Sequence, residues 1–200
     1  MAGFSAWVGG PLSKQRAVVG AIVLMAALSG GIVSSHADET AAWNALERGA
    51  IVLFRHSNAP GVGDPPGFRI DDCATQRNLD DEGRAQAQLI GEAFRERGIA
   101  VGKVITSQWC RTRDTANIAF PGMVEDEPSF NSFFGDRTEE PEQTAAAKKL
   151  LLGWKGSRAL MVVTHQVNIT ALTGVAPASG EGIVLTNAGG QITVVGRIQP

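Results

Sequence analysis

The sequence has almost no excess of one charge. Its 200 residues carry 18 lysines and arginines against 20 aspartates and glutamates, which gives a formal net charge of -2. A chain without a basic surplus has no general electrostatic attraction to nucleic acid, and we expect no nucleic-acid partner. With 44% hydrophobic residues, the composition is that of an ordinary globular protein. One domain is expected.

Long apolar runs are also scarce, and the longest lies near the N-terminus. Lys14 and Arg16 precede the 17-residue run AVVGAIVLMAALSGGIV, after which Ser35 and Ala37 occupy the -3 and -1 positions of a signal-peptidase site. The pattern predicts a signal peptide over residues 1–37, a domain over residues 38–200, and a periplasmic or secreted location. The alternative is a retained membrane anchor, because the run lies near the lower length limit for crossing a bilayer. No other membrane contact is expected.

Cysteine is rare, with two residues in the whole chain. In an oxidising compartment an even count favours a disulfide between Cys73 and Cys110, and the alternative is two buried thiols. Neither cysteine fits a cysteine phosphatase, which needs an arginine six positions after the nucleophile. Leu79 and Ala116 stand at those positions.

The remaining sequence alternates short apolar runs with amphipathic segments, which predicts an α/β fold. We expect a three-layer α/β/α sandwich with a mostly parallel central sheet and a C-terminal antiparallel hairpin. The predicted strands cover residues 50–57, 102–107 and 159–165, the predicted helices cover 78–98, 109–120, 141–154 and 166–174, and the hairpin covers 182–198 with its turn at 188–190.

Cationic side chains follow the strands of this predicted sheet. Arg55 and His56 end the first strand, Arg111 follows the second, and His165 follows the strand at 159–164. Ligands of such sheets bind at the carboxyl ends of the strands. Clustered cations repel one another unless an anion lies between them, so the sequence predicts a phosphate site at this edge.

Three motifs carry a resemblance to a known family. RHS at 55–57, SQWCRTRDTA at 107–116 and THQ at 164–166 resemble the motifs of the histidine phosphatase superfamily, also called phosphoglycerate-mutase-like, in its smaller branch. Ser57 replaces the usual glycine of the first motif, whereas Ser107, Arg111 and Thr115 fit the second fully. The segment NLDDEGRAQAQLIGEAF resembles the helix that follows the first motif in this family.

The resemblance implies a phosphatase that forms a covalent phosphohistidine. His56 is expected to be the nucleophile, Arg55 and Arg111 to grip phosphate oxygens, and His165 to add a further donor. Ser57 and Asn58 are included among the predicted substrate-binding residues. No cofactor and no metal are expected, the substrate is a phosphorylated small molecule or a phosphoprotein, and the protein is expected to be a monomer.

The proton donor of the family has no obvious counterpart. Alignment on Phe133, Phe134 and Gly135 puts Asn131 where relatives carry an acid, and an amide is no useful proton donor. The alternatives are nearby carboxylates at positions 64, 71, 72, 125, 126, 127 and 136, all aspartate except Glu125 and Glu127. An enzyme without this acid suits substrates that have a good leaving group, such as a phosphorylated histidine.

The loop at 57–78 and the class of function leave further alternatives open. Its glycines and prolines exclude regular structure, and its position after His56 makes it a predicted wall of the site. Arg69 and Arg77 in this loop are either ligands for a second anionic group or ordinary surface arginines.

The leading hypothesis for the function is an exported phosphomonoesterase. The alternative hypotheses are a mutase and a phosphate-binding module without turnover.

Overall fold

A mixed six-stranded sheet forms the centre of the fold. The structure, a computed structural model, describes residues 1–6, 9 and 31–200, with side chains of the first helix described from residue 38. The strands are β1 (Ile51–Arg55), β2 (Val101–Thr106), β3 (Val124–Asp126), β4 (Ala159–Thr164), β5 (Gly182–Ala188) and β6 (Gln191–Ile198). The helices are α1 (Gly31–Glu47), α2 (Asp81–Glu96), α3 (Cys110–Ala119), α4 (Glu140–Gly153) and α5 (Gln166–Thr173), with short 3-10 turns at Cys73–Thr75, Pro128–Phe130 and Arg137–Glu139.

The strand order is β3-β2-β4-β1-β5-β6. The pairs β1–β4, β2–β4 and β2–β3 are parallel, whereas β5 runs antiparallel to both β1 and β6. The predicted fold class, with its mostly parallel sheet and C-terminal hairpin, is therefore confirmed. Because β1 and β4 are adjacent and parallel, the residues that follow them lie side by side at one edge.

Alternate residues of the buried strands supply the two cores of the sandwich. Val52 and Phe54 of β1 pack on the side of α1, α2 and α3, together with Phe94. Ile51 and Leu53 point to the opposite face and pack with residues of α4 and α5. Burial on both faces explains why the strands read as continuous apolar runs, and it holds their carboxyl ends rigidly.

The helix α1 lies against β6 at the start of the predicted mature chain. A Cβ on Gly196 would lie 2.2 Å from the carbonyl oxygen of Asp38, so this close approach requires glycine. Of the predicted signal peptide, residues 7–8 and 10–30 lie outside the described residues, and they include most of the apolar run at 17–33. Cleavage after Ala37 remains a prediction. Among the helices of the described ranges, none has the length and apolar character needed to cross a bilayer.

The loop between β1 and α2 is tied down at several points. As expected it lacks long regular elements, with one 3-10 turn at Cys73–Thr75. A disulfide joins Cys73 to Cys110 at the first position of α3, with their Cα atoms 5.7 Å apart. This bond connects the loop after His56 to the helix that carries Arg111.

Candidate active site

A cavity at the carboxyl edge of the sheet contains the four predicted cationic residues. Arg55 is the last residue of β1, His56 follows it, Arg111 lies in the first turn of α3, and His165 follows β4. All four line one cavity of about 820 Å³. The ring centroids of the two histidines are 5.5 Å apart. Residues that are distant in sequence therefore meet around one space.

The backbone holds the His56 imidazole in one tautomer. Its Nδ1 lies 2.8 Å from the carbonyl oxygen of Ser57, and because a carbonyl only accepts, Nδ1 carries the hydrogen. The lone pair is then on Nε2. Burial, and next the positive charge of Arg111, lowers the pKa of His56 to about 3. The ring is consequently neutral at pH 7, the state that a nucleophilic imidazole requires.

A chain of hydroxyl groups holds His165. Its Nε2 lies 2.8 Å from Ser107 Oγ, which lies 2.7 Å from Thr112 Oγ1. Its Nδ1 lies 3.4 Å from Arg111 Nη2, a donor, so Nδ1 accepts in the neutral ring. Burial, followed by the charge of Arg111, lowers the pKa of His165 well below its ordinary value. Because a hydroxyl both donates and accepts, the imidazole can exchange tautomers, keep its bond to Ser107 and donate from Nδ1 to an oxyanion.

Arg111 forms a buried two-pronged ion pair with Asp64. Its Nη1 and Nη2 donate to the two carboxylate oxygens of Asp64 at 2.8 and 3.2 Å, and the side chains are 3% and 8% exposed. Asp64 also accepts from Trp109 Nε1 at 3.0 Å and from the backbone N–H of Arg77 at 3.1 Å. Burial by itself raises the pKa of Asp64, but the hydrogen bonds and charge of Arg111 outweigh it and hold that pKa below its ordinary value. The carboxylate is therefore ionised.

Arg77 joins Arg55 and Arg111 in the cavity lining, which also includes Arg137 at the exposed rim. Arg55 donates from Nη1 to the carbonyl of Pro177 at 3.1 Å, and Arg77 donates from Nε to the carbonyl of Gly63 at 2.9 Å. Burial and then the charge of Arg77 lower the pKa of Arg55. In the described part of the chain, the buried Nε atoms of Arg55 and Arg111 have no hydrogen-bond partner. The terminal nitrogens of guanidinium groups that line a cavity can donate charge-assisted hydrogen bonds to a bound oxyanion.

The spacing of the second motif has a structural explanation in this arrangement. Ser107 holds His165, whereas Thr115 accepts from the backbone N–H of Ser57 at 3.0 Å and donates to the Arg111 carbonyl at 2.7 Å. Positions four residues apart share one face of a helix. Arg111 and Thr115 thus share one face of α3, whereas Ser107 lies in the segment that precedes the helix. Arg111 is therefore placed between the support of His165 and the support of the backbone beside His56.

The structure does not bring Ser57 and Asn58 into the cavity lining. Ser57 is fully buried, and its carbonyl holds His56. The amide of Asn58 donates to Asp80 at 2.9 Å, beside the N-terminus of α2. Both residues therefore contact neighbouring elements, and the predicted substrate contact has no support in this geometry.

Asn131, at the position of the missing acid, also faces away from the cavity. Its Oδ1 accepts from the backbone N–H of Gln108 at 2.8 Å and its Nδ2 donates to Gln108 Oε1 at 2.9 Å. The paired amides join the start of α3 to the segment at 128–137. The role of Asn131 in this structure is a structural cross-link.

Two of the seven carboxylates named from the sequence line the cavity, Asp64 and Asp136. Asp136 lies on the exposed rim and accepts from the backbone N–H of Thr138 at 2.9 Å. The hydrogen bond from the Thr138 side chain, followed by that from its backbone, lowers the pKa of Asp136. The other five lie outside the lining. Asp71 is exposed, and Glu127 accepts from Ser129. Asp72, Glu125 and Asp126 pair with Arg69, Lys103 and Arg113, respectively.

Comparison with known proteins identifies the family. The model of the histidine phosphatase superfamily (branch 1) matches residues 51–154, slightly more than half of the 200 residues. The chain belongs to the histidine phosphatase superfamily. The matched range includes Arg55, His56 and Arg111 but ends before His165, which is connected to them by geometry.

The individual similarities are weaker. The chain is 41% identical over 68 residues to the mitochondrial serine/threonine-protein phosphatase Pgam5 of Drosophila virilis, covering 34% of this chain and 21% of that protein. The chain thus spans about a fifth of this curated relative. The protein histidine phosphatase SixA in complex with tungstate superposes with a TM-score of 0.55 at 16% identity, covering 76% of this chain and 97% of SixA. The alpha-ribazole phosphatase of Shigella flexneri gives 0.53 at 14% identity, with coverages of 72% and 94%. At these identities the two structures establish a shared fold.

Two charged residues of the cavity, Asp64 and Arg77, were not among the site residues predicted from the sequence. Asp64 was named only as one of several replacement acids, and Arg77 only as one of two loop arginines. Arg69, the other loop arginine, pairs with Asp72 at the surface. One sequence signal could have found them. The predicted disulfide between Cys73 and Cys110 brings the loop that contains Asp64 and Arg77 next to Arg111.

Proposed function

We propose that this protein is an exported phosphatase that hydrolyses a phosphomonoester, or the phosphoester of a phosphoprotein, through a covalent phosphohistidine at His56. The observation that carries the proposal is the meeting of Arg55, His56, Arg111 and His165 in one cavity. The proposed export depends on the signal pattern of residues 1–37.

In the first step, His56 Nε2 attacks phosphorus in line with the leaving oxygen. The nitrogen–phosphorus bond forms while the phosphorus–oxygen bond breaks, and the leaving oxygen keeps the bonding electrons. Charge on the three equatorial oxygens is stabilised by the guanidinium groups of Arg55 and Arg111 and by the Nδ1–H tautomer of His165. The carbonyl of Ser57, 2.8 Å from Nδ1, stabilises the positive charge that develops on the attacking ring.

In the second step, water attacks phosphorus from the side that the leaving group has vacated. The nitrogen–phosphorus bond breaks and its electrons return to Nε2, which restores the neutral imidazole. The water oxygen becomes part of inorganic phosphate, and its proton passes to a phosphate oxygen or to bulk water. The low pKa of His56 favours this return, because the buried ring is stable when neutral.

The test is turnover of acetyl phosphate, whose leaving group needs no proton from the protein. We expect hydrolysis by the wild type and a loss of at least ~1,000-fold in kcat for His56→Ala, as for removal of a covalent nucleophile. Rapid acid-free quenching should trap phosphate on His56. Tight phosphate binding without turnover would instead identify the second function, a non-catalytic phosphate-binding module. The ionised state of both cavity carboxylates, which leaves no obvious proton donor, favours this second function.

A further inference from the structure

The cavity has an apolar wall beside its phosphate end. Val62, Phe68, Trp109 and Phe134 line the same space as the guanidinium groups. The ring centroids of Phe68 and Trp109 are 5.6 Å apart, and that of Trp109 is 5.4 Å from His165. A ligand whose phosphate lies between the histidines therefore has the Trp109 ring beside it, next to His165, in the same cavity.

Phe134 lies outside both hydrophobic cores of the fold. Its side chain is 54% exposed at the cavity mouth, whereas the adjacent Phe133 is 1% exposed in the interior. Val62, on the opposite loop, is 88% exposed. A Cβ on Gly63 would lie 3.6 Å from the Phe134 ring, so the two loops meet at this point. Exposed apolar side chains that gather at the mouth of a charged cavity are a feature of ligand sites.

The carboxylates of the cavity restrict the leaving group. Asp64 is committed to Arg111 through two hydrogen bonds, and Asp136 to Thr138. Both carboxylates have lowered pKa values, and Asn131 is bonded to Gln108. In the described residues, no protonated carboxyl group lines the cavity at neutral pH. An alkoxide leaves poorly without a proton, but a phenolate is stable enough to leave alone.

We infer that the substrate class is an aryl phosphate monoester, with its ring against the wall formed by Phe68, Trp109 and Phe134. This inference rests on the proposed phosphatase function and specifies its leaving group. The bond between phosphorus and the phenolic oxygen breaks with its electrons on that oxygen, and the phenolate takes its proton from bulk water. The shared chemistry covers free aryl phosphates and phosphotyrosine in a protein.

The experiment compares kcat/KM for substrates that separate ring binding from leaving-group acidity. 2-Naphthyl phosphate and phenyl phosphate release phenols of nearly equal acidity but differ in ring area. Acetyl phosphate has a good leaving group and no ring, and glycerol phosphate has a poor leaving group and no ring. We expect kcat/KM for 2-naphthyl phosphate to be about 3- to 10-fold higher than for phenyl phosphate. For both aryl esters, kcat/KM should be at least ~100-fold higher than for glycerol phosphate.

Variants then test the wall itself. Phe134→Ala should lower the ratio of kcat/KM for 2-naphthyl phosphate to that for acetyl phosphate by about 3- to 10-fold, and Phe134→Leu should restore part of it. The matched control is Met123→Ala, an exposed apolar residue outside the cavity lining, which should leave the ratio unchanged. A ratio unaffected by Phe134→Ala would overturn the inference.

The outcomes separate the inference from the proposed function. If acetyl and glycerol phosphates are hydrolysed as well as the aryl esters, the aryl class is wrong although the phosphatase stands. If no compound is hydrolysed, both are wrong. If kcat/KM is higher for a phosphotyrosine peptide than for free phosphotyrosine, the aryl phosphate belongs to a protein substrate. If it is lower, the substrate is a small molecule. Preference for a phosphohistidine or phosphoserine peptide over both aryl sources would also overturn the inference.

Discussion

Replacement of Asp64 by asparagine tests whether this carboxylate positions Arg111. Its two oxygens accept four hydrogen bonds, from Arg111 Nη1 and Nη2, from Trp109 Nε1 and from the backbone of Arg77, at distances between 2.8 and 3.2 Å. Asparagine keeps one acceptor and places an amide N–H₂ among donors. The change thus removes the charge that balances a buried guanidinium while it preserves the shape of the side chain.

The expected loss of stability follows from the burial of the pair. Removing one partner of a buried ion pair costs about 3–5 kcal/mol, because the other charge is left without compensation. Arg111 lines an open cavity that admits water, so we expect a value near the lower end, about 3 kcal/mol. For a domain of this size, that loss lowers the Tm by about 6–12 °C. Urea unfolding and thermal unfolding measure the two quantities.

The pH dependence gives a second readout of the same pair. Because the folded-state pKa of Asp64 is below its ordinary value, the stabilisation is present above the ordinary pKa and is lost as the pH falls through the folded value. The stability gap between wild type and Asp64→Asn should therefore be constant from pH 7 to 5 and narrow below about pH 4. Titration of the two histidines affects both proteins and cancels in the difference.

Catalysis distinguishes positioning from a purely structural role. With Arg111 released, we expect kcat to fall about 10- to 100-fold, because misplacement of a catalytic contact by about 1 Å has effects of this size. Inorganic phosphate should raise the Tm more in Asp64→Asn than in wild type, because the ligand supplies the missing negative charge. KM should not rise.

Asp126→Asn is the matched control, since Asp126 forms a two-pronged pair with Arg113 at the surface. The side chain of Asp126 is 39% exposed, and exposed pairs contribute at most about 1 kcal/mol. Asp64→Asn would refute the reasoning if its stability, kcat and response to phosphate matched those of Asp126→Asn.

Three further predictions concern the supports of the site. In ¹⁵N NMR titrations, the His56 and His165 rings should remain neutral at pH 5, since burial and then the charge of Arg111 lower both pKa values, and titration near the ordinary value would contradict this. Replacement of both cysteines by serine should cost about 4 kcal/mol in urea unfolding, because the disulfide spans 37 positions, and an unchanged midpoint would show that it adds no stability. Gly83→Ala should cost at least ~2 kcal/mol, because its Cβ would lie 2.0 Å from a backbone oxygen at position 58; the control Gly153→Ala, with open space around it, should be neutral or stabilising.

The buried strands and the meeting of Arg55, His56, Arg111 and His165 could be predicted because those features have local signals in the sequence. Strands buried on both faces read as apolar runs, and parallel topology brings the residues after β1 and β4 to one edge. The three-residue strand β3 was missed because its exposed Glu125 and Asp126 are typical of a loop. The helix α1 was missed because it overlaps the predicted end of the signal peptide.

The partners of the loop could not be predicted in the same way. Asp64 reaches Arg111 through the path of a glycine-rich and proline-rich segment, and no periodic pattern records such a path. Asn58 lies two positions after His56 in sequence, yet its side chain bonds to Asp80 beside α2. Proximity in sequence to His56 was therefore a poor guide to contact with the cavity.

The charges that line the cavity give Asp64 a further expected effect in the proposed phosphate site. With both histidines neutral, Arg55, Arg77 and Arg111 contribute three positive charges to the inner part of the cavity and Asp64 one negative charge, which leaves two. At the exposed rim, Arg137 pairs with Glu140, and Asp136 lies in solvent. Three uncompensated guanidinium groups would repel one another and destabilise the free protein. Two remaining charges match a phosphate monoester dianion, whereas a diester, with one negative charge, would leave the site unbalanced. We therefore expect Asp64 to stabilise the site when no phosphate is bound and, in the proposed phosphatase, to favour monoesters over diesters.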